Sequence, residues 1–178
     1  MKLKLNITFF CLFAFIACDW QEQPKSQIEI DRESIQVHFS PGDSPTAAIV
    51  KTLDNASKSI LVQAYSFTSA PIAAALKRAH DRRIVVNVIL DKSQLSERYT
   101  SATFLRNVGI PVWIDRSHAI AHNKVMVIDE SIVITGSFNF TRSAEERNAE
   151  NMLIINSRQI AEEYVANWER HRTHSEKY

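Results

Sequence analysis

The chain has 178 residues, with 21 lysines and arginines against 20 aspartates and glutamates, so its formal net charge is +1. This length is enough for one domain with a hydrophobic core and too short for two copies of such a domain. The balanced charge excludes the strongly basic composition of a dedicated DNA-binding protein, and the two cysteines exclude a disulfide-rich scaffold.

The N-terminal segment, residues 1–18, predicts a signal peptide for export. Two lysines precede a mostly apolar run over residues 7–17, which is too short to span a bilayer as a helix. The segment ends in FIAC, which resembles a bacterial lipoprotein cleavage box and would make Cys18 the lipidated first residue of the mature chain. Ordinary cleavage just before Cys18 is the alternative. We therefore expect a periplasmic protein, either lipid-anchored to the inner membrane through Cys18 or soluble.

Residues 19–34 are polar and predict a linker, and from residue 35 onward strands and helices alternate. The alternation predicts one α/β sandwich over residues 35–172, with a mixed β-sheet flanked by helices on both faces, and a tail over residues 173–178. The predicted elements are, in chain order, a strand IQVHF, a helix over 44–57, a strand ILVQAYS, a helix opened by Ser69 and Pro71, a strand IVVNVIL, a short helix over 102–107, a strand PVWI, the paired strands KVMVI and SIVIT, a brief helix over 141–147, a strand NMLIIN and a closing helix over 158–170.

One window, HNKVMVIDESIVITGSFNF over residues 122–140, carries most of the functional information. Its spacing is H-x-K-x4-D-x6-G-S-x-N. With each residue type at about 5% abundance, six fixed positions arise by chance on the order of once in 10^8 starting points. Because side chains alternate along a strand, His122 and Lys124 are predicted to point the same way, and Ser137 and Asn139 share the same spacing.

The residue types in this window suit attack on a phosphodiester. A neutral imidazole such as that of His122 can attack phosphorus to give a phosphohistidine, and it can pass protons near neutral pH. Lys124 can hold the phosphate oxygens as their charge shifts, while Ser137 and Asn139 can add neutral hydrogen bonds. Gly136 allows a backbone or a ligand to approach closely. A turn-forming hydroxyl is the alternative role for Ser137.

Two carboxylates complete the candidate set, and we predict different roles for them. Glu150, which begins the next predicted strand, is the candidate that would fix the tautomer of the attacking imidazole. A surface salt bridge is the alternative for Glu150. Asp129 lies in the turn between the two strands, away from the other residues. We therefore predict that Asp129 is structural and accepts backbone hydrogen bonds.

The window resembles the HKD motif of the phospholipase D superfamily. The segments ILVQAYSFTSAPIAAALKRAH, VILDKSQ, GIPVWID, HAIAHNKVMVID and TGSFNFTRSAEERNAEN extend the resemblance over roughly residues 35–170, and they look like the small bacterial members of that superfamily. Those members are secreted, single-motif, metal-independent endonucleases. The resemblance implies that the active site is formed by His122, Lys124, Ser137, Asn139 and Glu150.

The mechanism implied by the resemblance uses two histidines, one that attacks and one that protonates the leaving oxygen. No other histidine in the chain is followed by a lysine two positions later. The second histidine is therefore expected from another subunit, in a C2 homodimer with the active site at the twofold interface. A monomer with half a site is the alternative. Arg116 and His118 are weaker candidates that would line a substrate groove, and His118 could equally be a solvated loop residue.

The sequence contains no H-E-x-x-H motif, no paired cysteine motif and no cluster of carboxylates suited to two metal ions. We therefore predict no metal and no cofactor, and an activity that survives chelators. The leading function is a sequence-nonspecific endonuclease acting on DNA or RNA. A phospholipase D that hydrolyses phospholipid head groups is the first alternative, because the motif defines the bond and not the substrate. A catalytically silent, membrane-tethered nucleic-acid-binding protein is the second.

Overall fold

A computed structural model describes residues 34–96 and 100–178, so the predicted signal peptide and nearly all of the predicted linker lie outside the described residues. The strands are β1 (Ile35–Ser40), β2 (Ser59–Ala64), β3 (Val85–Asp91), β4 (Val112–Asp115), β5 (Lys124–Ile128), β6 (Ile132–Gly136), β7 (Glu150–Asn156) and β8 (Glu176–Lys177). The helices are α1 (Pro45–Asp54), α2 (Ala70–Asp81), α3 (Ser101–Asn107), α4 (Arg142–Glu146) and α5 (Arg158–His174), with a short 3-10 helix at Lys92–Leu95.

The strands form one mixed sheet in the order β1-β7-β6-β5-β2-β3-β4-β8. Strand β2 is parallel to β3, and β3 is parallel to β4, whereas the other neighbours are antiparallel. The predicted class, an α/β protein with a mixed sheet, is confirmed. The antiparallel hairpin formed by β5 and β6 makes the sheet mixed, as the KVMVI and SIVIT runs predict.

The two faces of the sheet are covered by different helices. Along β5, Met126 and Ile128 belong to the large core that also includes the buried residues of α1, α2 and α3. The alternate residues Val125 and Val127 face a smaller cluster with α5. This alternation explains why β5 is apolar at four consecutive positions: a strand with a helix layer on each face has no solvent-facing side. Trp168 of α5 is 3% exposed and donates a hydrogen bond from Nε1 to the carbonyl of Val62 at 3.0 Å.

The C-terminal residues depart from the prediction of a tail over 173–178. Helix α5 continues to His174, and β8 pairs with β4 in antiparallel register. The Tyr178 amide also donates to the carbonyl of Val112 at 2.9 Å. Aromatic contacts explain the difference, because the Arg172 guanidinium lies 4.0 Å above the ring of Trp113 and the Arg106 guanidinium 4.4 Å above the ring of Tyr178. Because residues 173–178 are mostly polar, their sequence alone does not predict these contacts.

No helix within the described ranges is both long and apolar enough to cross a membrane.

Candidate functional site

The motif residues gather at one edge of the sheet because of the strand directions. Lys124 is the first residue of β5 and pairs with Ala64, the last residue of β2. Gly136 is the last residue of β6, and Glu150 is the first residue of the neighbouring β7. The ends of four adjacent strands therefore meet at this edge, and three of them, β5, β6 and β7, carry or adjoin the residues of the predicted site.

His122 and Lys124 both contact the ring of Tyr65. The imidazole of His122 and the Tyr65 ring have centroids 4.7 Å apart, and the Lys124 ammonium lies 5.2 Å from the Tyr65 centroid. The backbone holds this arrangement, since the Tyr65 amide donates to the carbonyl of Asn123 at 2.8 Å. His122 is exposed, and no side chain in the described residues forms a hydrogen bond with its imidazole. The ring is thus supported from one side and open to solvent on the other.

Lys124 is a buried cation, with 7% of its surface exposed. Its Nζ donates a hydrogen bond to the main-chain carbonyl of His122 at 2.8 Å. Burial lowers the pKa of Lys124 from its ordinary value, and the nearby charge of Glu150 acts in the opposite direction. An ammonium held out of water beside an exposed imidazole interacts more strongly with an anion than a solvated lysine does.

Within the described chain, the Glu150 carboxylate is hydrogen-bonded to Ser137 and Asn148 and not to the His122 imidazole, so its role in fixing the imidazole tautomer stays a prediction. The Ser137 hydroxyl donates to Glu150 Oε2 at 2.6 Å, and the Asn148 amide donates to Oε1 at 2.9 Å. Both carboxylate oxygens therefore already accept a hydrogen bond from the loop between β6 and β7. Ser137 also accepts a hydrogen bond from the backbone amide of Asn151 at 3.1 Å, so it links the two strands.

Gly136 is the last residue of β6, and Asn139 lies in the loop between β6 and β7. Gly136 has φ +152°, and a Cβ there would overlap the carbonyl oxygen of Asn151 and lie 2.9 Å from the Cα of Met152. Gly136 therefore packs directly against the backbone of β7, which leaves no room for a side chain. The side-chain oxygen of Asn139 is buried and has no hydrogen-bond partner among the described residues. A buried polar atom without a partner is rare in proteins, so this atom is suited to a partner from outside the chain.

Asp129 closes the hairpin at the opposite end of β5. Asp129 and Glu130 both have φ +54°, which fits a two-residue turn with positive φ at both central positions. The Asp129 carboxylate accepts hydrogen bonds from the amides of Ser57, Lys58 and Ser59 at 2.7–3.0 Å, and from the Ser57 hydroxyl at 2.8 Å. Burial alone would raise the pKa of Asp129, but these hydrogen bonds hold it below its ordinary value.

We expect Asp129→Asn to lower the free energy of unfolding by about 1–3 kcal/mol at neutral pH, because an amide cannot accept all four hydrogen bonds. The depressed pKa means that the carboxylate stabilises the fold above the unfolded-state pKa, near about 4, and that this stabilisation is lost as the pH falls through the folded-state pKa. The difference between wild type and variant in urea unfolding should therefore shrink in acid. Glu130→Gln, in the same turn, is the control; an equal loss there would contradict this role of Asp129.

Two residues of this edge were missed by sequence reasoning. The sequence predicts Tyr65 only as part of a strand, although its ring contacts both His122 and Lys124. Asp91, at the end of β3, is 2% exposed and accepts a hydrogen bond from the amide of Ala121 at 2.7 Å. Asp91 therefore fixes the loop directly before His122. A carboxylate that ends an apolar strand, as in VILD, is the signal that could have identified it.

Arg116 and His118 lie at the end of β4, three strand positions from β5 in the sheet. Arg116 forms an ion pair with Glu176 at 2.9 Å, so its partner is the C-terminal strand. His118 contacts Asp115, His171 and His174. These contacts connect both residues to the C-terminal helix and strand, and no hydrogen bond, ion pair or ring contact among the described residues joins them to His122.

Comparisons with known proteins agree in pointing to one family. The family described as the PLD-like domain of cardiolipin synthase matches residues 49–172. A protein named phospholipase D from Rickettsia typhi is 41% identical over 155 residues, which cover 87% of this chain and 76% of that protein. Mitochondrial cardiolipin hydrolase from Xenopus tropicalis is 32% identical over 128 residues, 72% of this chain and 61% of that protein.

The fold also matches a crystal structure of a phospholipase D family member, Nuc from Salmonella typhimurium. The two chains superpose with a TM-score of 0.78 at 36% sequence identity. The match covers 82% of this chain and 97% of the Nuc chain. The similarity therefore extends over almost the whole of that protein and not over one part of a larger one.

Proposed function

The chain belongs to the phospholipase D superfamily and is a phosphodiesterase of that superfamily, and we propose that it is a sequence-nonspecific endonuclease that cuts DNA through a phosphohistidine intermediate. The observation that carries the proposal is the exposed imidazole of His122, which lies beside the buried ammonium of Lys124. This pair offers a nucleophile to phosphorus and a cation to the phosphate oxygens in one place.

In the proposed first step, a ring nitrogen of His122 forms a bond to phosphorus, and the bond from phosphorus to the leaving oxygen breaks. The proton for that oxygen comes from a second imidazole. In the second step, water attacks phosphorus and gives its proton back to the second imidazole, and the bond between phosphorus and His122 breaks. Lys124 stabilises the charge on the non-bridging oxygens in both steps.

We assign the second imidazole to His122 of the partner subunit in a C2 homodimer. Two features of the single chain support this assignment. No side chain of the described residues hydrogen-bonds to the His122 ring, and the buried oxygen of Asn139 has no partner among them. A second copy of the chain or the substrate would supply these contacts. Exposed Phe39 and Ile120 lie in or next to segments of this edge and offer apolar surface for such an interface.

An open site favours a polymeric substrate. An internal phosphodiester of DNA continues in both directions, so the enzyme must receive it at a surface. Both His122 and Ser137 are exposed at the sheet edge, and the Tyr65 ring next to His122 can stack on a base. The resemblance of residues 35–170 to small secreted endonucleases of the superfamily points the same way.

Phospholipid is the second candidate substrate, and one observation favours it. Ile120, two residues before His122, is 57% exposed, and apolar side chains near a site can enter a lipid surface. The named relatives phospholipase D and cardiolipin hydrolase are compatible with this candidate.

Export and lipidation at Cys18 rest on residues 1–18 and stay predictions. The catalytically silent alternative is set aside, because the chain is a hydrolase of this superfamily.

The test compares both substrate classes with the full-length chain in excess EDTA. Supercoiled plasmid at low salt is analysed for nicked and linear products, and vesicles of phosphatidylcholine with cardiolipin are analysed for phosphatidic acid and released head groups. We expect nicking and degradation of the plasmid and little lipid turnover. His122→Ala should remove the plasmid activity, and His80→Ala, a histidine on α2, should retain it.

The outcomes separate the candidates. Lipid hydrolysis with an intact plasmid would replace the nuclease with a phospholipase that uses the same residues. Plasmid cleavage that disappears in EDTA while the protein stays folded would contradict a metal-independent reaction at His122. Sedimentation of the same preparation tests the homodimer separately from substrate choice.

A further inference from the structure

Three histidines surround a single carboxylate oxygen at the end of β4. Oδ2 of Asp115 lies 2.9 Å from Nδ1 of His118, 3.0 Å from Nδ1 of His171 and 3.3 Å from Nε2 of His174. The four candidate ligand atoms all lie within 4.8 Å of one another. Within residues 34–96 and 100–178, this is the one such group of histidine, cysteine and carboxylate side chains. It is separate from the site of His122 and Lys124.

Three of the six separations among these atoms are already close to those of a tetrahedral metal site, and the imidazole nitrogens, within 4.8 Å of one another, would move together around an ion. Ligands bound to zinc at about 2.0–2.1 Å in a tetrahedron stand about 3.3–3.4 Å apart. The three distances from Asp115 Oδ2 to the imidazole nitrogens are close to this separation before any adjustment. The ligand set, three imidazoles and one carboxylate, is typical of zinc and related divalent ions.

The surroundings of Asp115 hold its carboxylate in a defined orientation. Its side chain is 0% exposed, and its other oxygen, Oδ1, accepts a hydrogen bond from the Ser117 amide at 3.0 Å. Burial alone would raise the pKa of Asp115, but hydrogen bonds from His171, His118 and His174 keep it well below its ordinary value. The backbone hydrogen bond to Oδ1 leaves Oδ2 as the oxygen directed at the imidazoles, as is common for metal-bound carboxylates.

Two other features suit a cation at this position. His171 and His174 are three residues apart in the last turn of α5, so they lie on the same face of the helix. The C-terminal end of a helix carries partial negative charge, which favours a cation there. Three neutral imidazoles with one carboxylate leave a net charge of −1 in a half-buried cluster. A divalent ion changes this to +1 and replaces three crowded contacts to one oxygen with four metal bonds.

We propose that Asp115, His118, His171 and His174 bind one structural Zn²⁺ ion. Four protein ligands leave no open position, which is typical of structural and not catalytic zinc. The ion would join the end of β4, the loop before His122 and the C-terminal helix. It takes no part in the phosphoryl transfer, so the expected resistance of the chemical step to chelators is unaffected.

The test measures the metal directly. The full-length chain, without a histidine tag, is loaded with zinc, dialysed against metal-free buffer and analysed by mass spectrometry for metals. We expect about one zinc per chain in the wild type. His118→Gln and His174→Gln change the two most exposed ligands, with side chains 45% and 34% exposed, so the fold should tolerate them. Both should retain far less zinc, and His80→Gln should match the wild type.

Two further measurements keep the test decisive. The thermal unfolding midpoint of the wild type should rise with zinc concentration, and that of His118→Gln should not, because only a native-state ligand site stabilises the fold. Cobalt loaded in place of zinc should show the strong visible absorption of four-coordinate Co²⁺. Folded wild-type protein that retains no zinc, or His118→Gln that binds as much as His80→Gln, would overturn the proposal. Plasmid cleavage is scored separately, so failure here leaves the nuclease proposal standing.

Discussion

Replacement of His122 by alanine is expected to reduce phosphodiesterase activity by about 10^4-fold or more, the loss typical when a nucleophile is removed from a covalent mechanism. In the proposed homodimer the change removes both the attacking imidazole and the imidazole that protonates the leaving oxygen. His122 is exposed, and its side chain forms no hydrogen bond with another described residue, so the fold should be unaffected. Initial rates on plasmid and urea unfolding curves, measured on the same preparations, separate the two effects.

A heterodimer of one wild-type and one His122→Ala chain extends this prediction. If the twofold axis combines both histidines in a single site, the heterodimer should have less than about a tenth of the wild-type activity. If the two sites acted independently, the heterodimer would keep half of the wild-type activity. A covalent adduct between protein and DNA, trapped by rapid denaturation, should appear with wild type and be absent with the His122→Ala homodimer. Substantial activity in that homodimer would place the nucleophile elsewhere and contradict the mechanism.

Most of the fold could be predicted from the sequence because local patterns and tertiary packing agree. Strand β5 is buried at every position, and it is apolar from Val125 to Ile128 for that reason. The runs of β2 and β3 are also mostly apolar, each with one polar residue inside, Gln63 and Asn87. The hairpin between β5 and β6 was predicted from the apolar runs KVMVI and SIVIT, and its turn has positive φ at both central residues, Asp129 and Glu130. Strand β8 could not be predicted, since its pairing depends on β4, which lies about sixty residues earlier in the chain.

The candidate site was predictable to the extent that its residues are close in sequence. His122 and Lys124 follow from one motif, but Tyr65 contacts them only because β2 pairs with β5. The same limit applies to Glu150, whose two oxygens accept hydrogen bonds from Ser137 and Asn148, contacts that depend on the folded loop between β6 and β7. The cluster at Asp115 is the extreme case: His171 is 56 residues away, so no short motif could reveal it.

Replacement of Lys124 by methionine is expected to lower kcat by about 10²–10³-fold with little loss of stability. Methionine fills similar volume in a site that is 7% exposed, and it removes the charge that would hold the phosphate oxygens. Lys124→Arg should not restore full activity, because a planar guanidinium needs more room and different hydrogen-bond directions than a buried ammonium.

Stability measurements decide whether Lys124 is retained for catalysis or for folding. Burial lowers the pKa of Lys124, so at neutral pH the folded state holds an ammonium that would be better solvated in the unfolded chain. Removing that charge should leave the free energy of unfolding unchanged or higher while activity falls. Lys92→Met is the matched control, because Lys92 is exposed and also donates to a main-chain carbonyl, that of His118 at 2.8 Å. If Lys124→Met unfolds at a lower urea concentration and its folded fraction keeps the wild-type kcat, the ammonium is structural. If kcat falls in a fully folded protein, the ammonium is buried for the reaction, in spite of the free energy that its burial costs.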